Sequence, residues 1–100
     1  MKVEYSREFI KSVERLSGKM QKSVVSVINE VIAATNVLQI KNCKKIESLN
    51  NVYRIRIGDK RAFFVLHIEI ECETVKFEYL VNRGDAYDKR MLHKLKNRDK

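Results

Sequence analysis

Three strand-like segments in a row, joined by short turns, constrain the fold of this chain more than any other feature. Alternating apolar residues predict strands at about Val52–Ile57, Arg61–Ile70 and Thr74–Asn82. Gly58-Asp59 is typical of the first turn, and the short polar run "ECE" of the second. Parallel neighbours need a long crossover, so connections this short require antiparallel pairing. The C-terminal half is therefore expected to form an antiparallel meander.

The N-terminal part predicts one strand and two helices. "KVEYS" alternates polar and apolar residues, and Ser6 followed by Glu8 is typical of a helix start. Ser17-Gly18 is expected to end the first helix, and a second helix should continue to "TNVLQ". Apolar residues at helical spacing give this helical hairpin one apolar side: Phe9, Ile10, Val13 and Leu16, then Met20, Val24, Val27, Ile28, Val31 and Ile32.

The remaining segments complete an α+β order of β-α-α-β-β-β-α. Residues 41–51 predict a polar connection anchored by Ile46 and Leu49. A last helix is expected over about Asp85–Asn97, with Asp85 favoured as its N-cap. A chain of 100 residues suits one domain, so residues 1–100 are predicted to form a single unit. Its helical hairpin should pack on a curved, mainly antiparallel sheet in two layers.

Alternation assigns the side chains of the first hairpin to two faces. The helices must cover one face, which carries Tyr53, Ile55 and Ile57. Arg54 and Arg56 therefore point away from the helices, and the hairpin turn brings Arg61 beside Arg56. Arginines at this spacing suit an ordinary solvated face or a phosphate site, and spacing alone leaves both open.

The net charge of the chain indicates which classes of partner it attracts, but it does not select one of them. The chain carries 21 Lys and Arg against 13 Asp and Glu, a formal net charge of +8. Such a surplus attracts polyanions over a distance, which favours nucleic acid, a ribosome or an acidic protein as partner.

Several other classes of protein are disfavoured by missing motifs. His67 and His93 are far apart, and no HExxH, P-loop, GxSxG or GxGxxG motif is present, so neither a metal nor another cofactor is expected. Cys43 and Cys72 lack a CxxC partner and are predicted to be reduced thiols. The apolar runs fall short of a membrane span and no secretion signal is apparent, which predicts a cytoplasmic location with no membrane partner.

Two stretches carry a resemblance to a known family. "VYRIRIGDKRAFF", followed by "YLVNRGDAYDK", resembles the RelE/ParE toxin superfamily. Members share a strand of the form Y-R-(I/L)-R-V-G, a next strand opening Y-R, and a last strand ending H-R-x-D-x-Y. "VEYSREFIKSVERL" and "CKKIESL" also fit the first strand and helix and the segment before the hairpin. The resemblance thus covers almost the whole chain.

The resemblance implies a RelE-like fold and a toxin of a type II toxin-antitoxin system. In RelE-like members the toxin enters the ribosomal A site and cuts mRNA without a metal ion. The 2′-hydroxyl attacks the adjacent phosphate, and the cut leaves a cyclic or 3′-phosphate end and a 5′-hydroxyl end. Cutting the mRNA in this way stops translation. The implied partners are therefore the ribosome with its mRNA and a cognate antitoxin, expected to be acidic because the toxin is basic.

Site residues follow from the same resemblance. Arg61 and Arg83 match arginines that grip the phosphate and stabilise the transition state, and Tyr87 matches a tyrosine that acts as base or stacks on RNA. The implied RNA-binding residues are Arg54, Arg56, Lys60, Lys89 and Arg90.

Two departures from the family pattern leave alternatives open. Some RelE-like enzymes have lysines at the positions of Arg54 and Arg56, and a guanidinium is a poor proton acceptor. Asn82 stands where a histidine often precedes the last-strand arginine. The alternatives are a ParE-like toxin that binds DNA gyrase without cutting RNA, and a degenerate member that binds only antitoxin or nucleic acid.

Overall fold

The computed structural model describes residues 1–99 and contains five strands and three α-helices. Two single-turn 3₁₀ helices span Val37–Gln39 and Arg83–Asp85. The main elements are β1 (Lys2–Tyr5), α1 (Arg7–Glu14), α2 (Gly18–Ala33), β2 (Cys43–Lys45), β3 (Val52–Ile57), β4 (Lys60–Ile68), β5 (Glu73–Asn82) and α3 (Lys89–Arg98). The predicted α+β class is confirmed.

The strands form one mixed sheet in the order β1-β5-β4-β3-β2. β1 runs parallel to β5, and the other neighbouring pairs are antiparallel, which confirms the meander. The sequence did not predict β2, because its three residues "CKK" show no alternation of polar and apolar side chains. β2 pairs along β3, with Lys44 opposite Arg54. β4 also ends earlier than expected, at Ile68.

Serine caps fix both helices of the hairpin. The Ser6 hydroxyl accepts from the Phe9 amide at 3.0 Å and donates to the Glu78 carbonyl at 2.6 Å, which ties the start of α1 to β5. The sequence predicted that Ser17-Gly18 ends the first helix, and this was wrong. The Ser17 hydroxyl caps α2 by accepting from the Met20 amide at 3.3 Å, so α1 already ends at Glu14.

The first core lies between the helical hairpin and one face of the sheet. Its largest members are phenylalanines, and the rings of Phe9 and Phe77 stack with centroids 5.0 Å apart. β3 contributes Ile55 and Ile57 to this core, as alternation predicted. The buried stripe is narrower than expected, because Ile10 is 47% exposed and Ile32 is 50% exposed.

A second core lies on the opposite face, so the fold has three layers where the sequence predicted two. Its buried residues are Leu49, Val52, Phe63, Val65, Ala86, Met91 and Leu95. Helix α3 supplies Met91 and Leu95 to this core. The expected start of α3 at Asp85 was wrong: Asp85 lies in the 3₁₀ turn, and Asp88 caps α3 by accepting from the Met91 amide at 2.7 Å.

Charged residues attach the C-terminal end of α3 to the body of the protein. Arg98 donates to Glu78 at 2.7 Å and to Glu8 at 2.5 Å. Glu78 is 3% exposed and lies where a register shift interrupts the pairing of β4 with β5. The Asp99 carboxylate accepts from the amides of Asn50 at 2.7 Å and Asn51 at 2.8 Å. The end of α3 is therefore joined both to β5 and to the segment before β3.

Candidate functional site

Basic side chains form two cross-strand rows on the sheet face that α3 only partly covers. In the first row Lys44 lies opposite Arg54, which lies opposite Phe63. In the second row Arg56 lies directly opposite Arg61. This confirms that Arg54 and Arg56 point away from the helical hairpin and that the turn brings Arg61 beside Arg56. Like charges that face each other across strands repel, so each guanidinium needs its own partners or solvent.

Arg61 is buried and helps to hold the β3–β4 turn. It is 8% exposed, and its Nη1 donates at 2.9 Å to the carbonyls of Gly58 and Lys60. Gly58 has a φ of 58°, a left-handed conformation that glycine adopts without a steric penalty. A guanidinium has five N–H donors, so Nη2 and Nε keep donors beyond those used in the turn.

Arg56 is exposed and attached to the segment just before β2. Its Nη2 donates to the Asn42 side chain at 3.3 Å, and its backbone amide donates to the Asn42 carbonyl at 3.1 Å. Asn42 has a φ of 57°, in the left-handed region where asparagine is one of the better tolerated residues. Arg56 is therefore bonded to the segment before β2, whereas Arg61 is bonded to the β3–β4 turn.

Arg83 is exposed at the end of β5, next to the same turn. Its backbone amide donates to the Asp59 carbonyl at 2.9 Å, which joins the end of β5 to the β3–β4 turn. Among residues 1–99, no salt bridge occupies its guanidinium. The fold thus brings the backbone of Arg83 to the turn that Arg61 stabilises.

Tyr87 lines a cleft with basic residues of β2 and β3. The cleft has a volume of about 500 Å³. The residues around it are Lys44, Lys45, Ile46, Glu47, Ser48, Arg54 and Tyr87. The Tyr87 side chain is 63% exposed and lies between buried Ala86 and the helix cap Asp88, so its backbone is held on both sides. An exposed aromatic ring among cations is typical of a surface that binds single-stranded nucleic acid.

The other predicted RNA-binding residues lie outside this cleft. Lys60 donates to the Asn82 side chain and lines a separate cavity of about 270 Å³. Lys89 is the exposed first residue of α3, and Arg90 lines a third cavity with Tyr79 and Lys94. The predicted residues therefore divide between the cleft with Arg54 and Tyr87, the β3–β4 turn, and the start of α3.

Four polar residues of the cleft were not predicted as site residues. They are Lys44, Lys45, Glu47 and Ser48, and all belong to β2 or to the turn that follows it. The stretch "CKKIESL" contains them, but only the pairing of β2 with β3 shows that they face Tyr87 and Arg54. The paired lysines immediately before a hairpin were the signal available in the sequence.

Burial raises the pKa of the Cys43 thiol to about 11, which keeps it in the less nucleophilic protonated form. Across residues 1–99, histidine, cysteine, aspartate and glutamate side chains nowhere gather in groups of three or more that could hold a metal ion. In the same residues, no helix combines the length and apolar character that a membrane span requires.

The fold and the candidate site are those of a small basic α+β protein, with a helical hairpin on one face of a mixed sheet and guanidinium groups on the other. No protein-family profile matches the chain. It is 30% identical over 89 residues to Toxin RelE3 of Methanocaldococcus jannaschii, covering 88% of this chain and 97% of that protein. The chain therefore belongs to the RelE toxin family.

Solved structures of toxin-antitoxin complexes have the same fold. A chain of the RelB-RelE antitoxin-toxin complex from Methanococcus jannaschii aligns with a TM-score of 0.67 at 26% identity, covering 85% of this chain and 95% of that one. The archaeal RelE-RelB complex from Pyrococcus horikoshii OT3 also gives a TM-score of 0.67, at 18% identity, with 85% and 97% covered. The second likeness concerns the fold alone.

Proposed function

We propose that this chain is the toxin of a type II toxin-antitoxin system and that it cuts mRNA on the ribosome. The observation that carries the proposal is the cleft in which Tyr87 meets Arg54, Lys44 and Lys45. Exposed Arg56 lies on the same face of the sheet as Arg54, and exposed Arg83 lies next to the β3–β4 turn. A stacking ring beside several cations matches what a single strand of RNA presents, which is a base and a phosphate for every nucleotide.

The proposed reaction needs no group beyond these side chains, the RNA and water. The ribose 2′-hydroxyl gives its proton to water and attacks the adjacent phosphorus, the bond to the 5′-oxygen breaks, and the departing oxygen takes up a proton from water. Arg83 and the free donors of Arg61 stabilise the charge that develops on the phosphate oxygens, a contribution typically worth about 3 kcal/mol per donor. Because its Nη1 is fixed by two carbonyls, Arg61 acts from a rigid position.

The remaining residues have binding roles in the proposal. Arg54 and Arg56 hold neighbouring phosphates, and Lys60, Lys89 and Arg90 extend the basic surface towards the ribosomal RNA. Tyr87 stacks on a base next to the scissile phosphate. Its hydroxyl is a group that can transfer a proton. The toxin would act in the cytoplasm, where translating ribosomes are found.

An acidic antitoxin is the proposed protein partner. The relative from Methanococcus jannaschii forms a RelB-RelE complex, and a net charge of +8 favours a partner of opposite charge. The antitoxin would cover the basic face and so block RNA. Raising the salt concentration should weaken the complex, and an affinity independent of salt would contradict this part of the proposal.

Primer extension on mRNA with translating ribosomes tests the reaction. The wild type should cut within codons, and Arg83→Ala should lower the cleavage rate by about 100-fold or more because a donor to the developing charge is lost. Arg7→Ala removes an exposed arginine from α1, on the other side of the sheet, and should leave the rate unchanged.

Two further arms separate the possible mechanisms. Tyr87→Phe keeps the ring, so it should lower the rate by about 100-fold only if the hydroxyl transfers a proton. A 2′-deoxynucleotide at the cut site should resist cleavage, because the nucleophile is absent. Intact mRNA together with poisoned DNA gyrase and damaged DNA would overturn the nuclease and favour the ParE-like alternative.

A further inference from the structure

The turn between β2 and β3 presents one carboxylate to an otherwise cationic cleft. Glu47 lines the cleft together with Lys44, Lys45 and Arg54, and its side chain is exposed. Within residues 1–99, no salt bridge occupies the Glu47 carboxylate, although cations line the same cleft. It is therefore available to a ligand.

Two hydrogen bonds close this turn. The Leu49 amide donates to the Ile46 carbonyl at 3.1 Å and closes the turn around Glu47 and Ser48. Lys45 Nζ donates to the Leu49 carbonyl at 2.5 Å, and buried Leu49 anchors the turn in the second core. Because these bonds fix the backbone of the turn, Glu47 can recognise a ligand at a lower cost in conformational entropy.

A carboxylate at this place opposes phosphate binding and therefore suits a different part of the nucleotide. Glu47 repels a phosphate that the three basic residues attract, so it weakens any site that binds phosphate alone. Single-stranded RNA exposes the Watson–Crick edges of its bases to side chains, and an aromatic ring commonly stacks on the same base. Tyr87 supplies such a ring in the cleft, which leaves the base edge for Glu47.

We propose that Glu47 reads the base that stacks on Tyr87 and selects guanine at that position. This inference rests on the proposed RNA-binding function. Guanine presents two adjacent donors, N1–H and N2–H₂, which match the two oxygens of a carboxylate. Adenine and cytosine offer one amino donor beside an acceptor, and uracil offers one N–H between two acceptors, so each of them faces Glu47 with a repulsive oxygen or nitrogen.

Binding of nucleoside 3′-monophosphates tests the assignment without any cleavage. In titrations followed by amide chemical shifts, 3′-GMP should bind the wild type about tenfold more tightly than 3′-AMP, 3′-CMP or 3′-UMP. Glu47→Gln replaces one acceptor oxygen by a donor, so it should abolish the preference for 3′-GMP and strengthen binding of 3′-AMP. Glu30→Gln makes the same charge change on α2, across the sheet, and should keep the wild-type preference.

The distribution of cut sites provides a second readout. With ribosomes translating a long message, Glu47→Gln should move cuts away from guanine and leave their total number within about twofold. Equal affinities for the four monophosphates, an unchanged preference in Glu47→Gln, or a uniform loss of cutting at every base would each overturn the proposal. If the wild type fails to cut mRNA but still prefers 3′-GMP, the nuclease function fails while the base assignment stands.

Discussion

The two ends of one sheet face differ in what covers them. At one end α3 packs Leu95 and Met91 over Val52, Phe63 and Val65. At the other end the same face carries Arg54 and Arg56, with Arg61 at the turn, and within residues 1–99 α3 contributes no buried residue there. β3 passes from one environment to the other within a few residues, since Val52 is fully buried and Arg56 is exposed. The reach of α3 therefore decides where the core stops and the candidate site begins.

The covered end should account for most of the stability of this face. Leu95 is 1% exposed, so Leu95→Ala removes buried methyl groups and leaves a cavity, at a cost of about 2–5 kcal/mol in the free energy of unfolding. Leu92 lies on the same helix and is 40% exposed, so Leu92→Ala should cost about 0.5 kcal/mol. Urea denaturation of the two variants measures the difference. Equal losses would show that α3 does not contribute to the core as described.

The next effect concerns the ion pairs that hold the end of α3. Arg98→Met removes the partner of a Glu78 side chain that is only 4% exposed, which should cost about 2 kcal/mol because a buried carboxylate loses a charged donor. Lys76, at 3.8 Å from Glu78, remains as a weaker partner. Urea denaturation measures the loss. If Arg98→Met is as stable as the wild type, the prediction fails, because water then hydrates the Glu78 carboxylate as favourably as Arg98 binds it.

Glu8 provides the matched comparison for that experiment. It contacts the same arginine from the surface, and its side chain is 46% exposed. Exposed ion pairs contribute little, so Glu8→Gln should cost less than about 1 kcal/mol. A larger cost for Glu8→Gln than for Arg98→Met would mean that the exposed contact, and not the buried one, attaches α3 to the body of the protein.

Alternation within strands made the division between core and site partly predictable. It assigned Tyr53, Ile55 and Ile57 to one face and the arginines to the other, because a strand turns successive side chains in opposite directions. It could not show that α3 covers Val52 and stops before Arg54. That outcome depends on Asp88 rather than Asp85 capping the helix, and both residues fit the cap preference equally well.

The cleft depended on contacts that local sequence does not encode. β2 has only three residues, so its pairing with β3 was missed, and with it the approach of Lys44 to Arg54. Tyr87 and Arg54 were both predicted as site residues, but their shared cleft results from long-range packing of the segment before α3. The buried state of Arg61 was also not foreseen, since the hydrogen bonds to the turn carbonyls require the folded turn.

A smaller effect should link the covered end to the site. Asp99→Ala removes the acceptor for the amides of Asn50 and Asn51, which should cost about 1 kcal/mol and loosen the segment that follows Glu47. Hydrogen exchange at Asn50 and Asn51 should become faster, while exchange in β4 stays slow. Asp85→Ala, an equal change at an exposed position, should alter neither. Unchanged exchange in Asp99→Ala would mean that the turn is held without α3.

The smallest predicted effect is a dependence of the free energy of unfolding on pH, caused by the ion pair at the end of α3. A backbone hydrogen bond at the start of α1 and the nearby Arg98 lower the pKa of the Glu8 carboxyl. A carboxyl with a lowered pKa in the folded state stabilises the protein above its unfolded pKa of about 4.3, and that contribution is lost as pH falls through the folded value. In urea denaturation, the stability difference between wild type and Glu8→Gln should therefore shrink from pH 7 towards pH 3. A difference that stays constant over this range would mean that the charge of Glu8 does not contribute, and that its contact with Arg98 acts only as a neutral hydrogen bond.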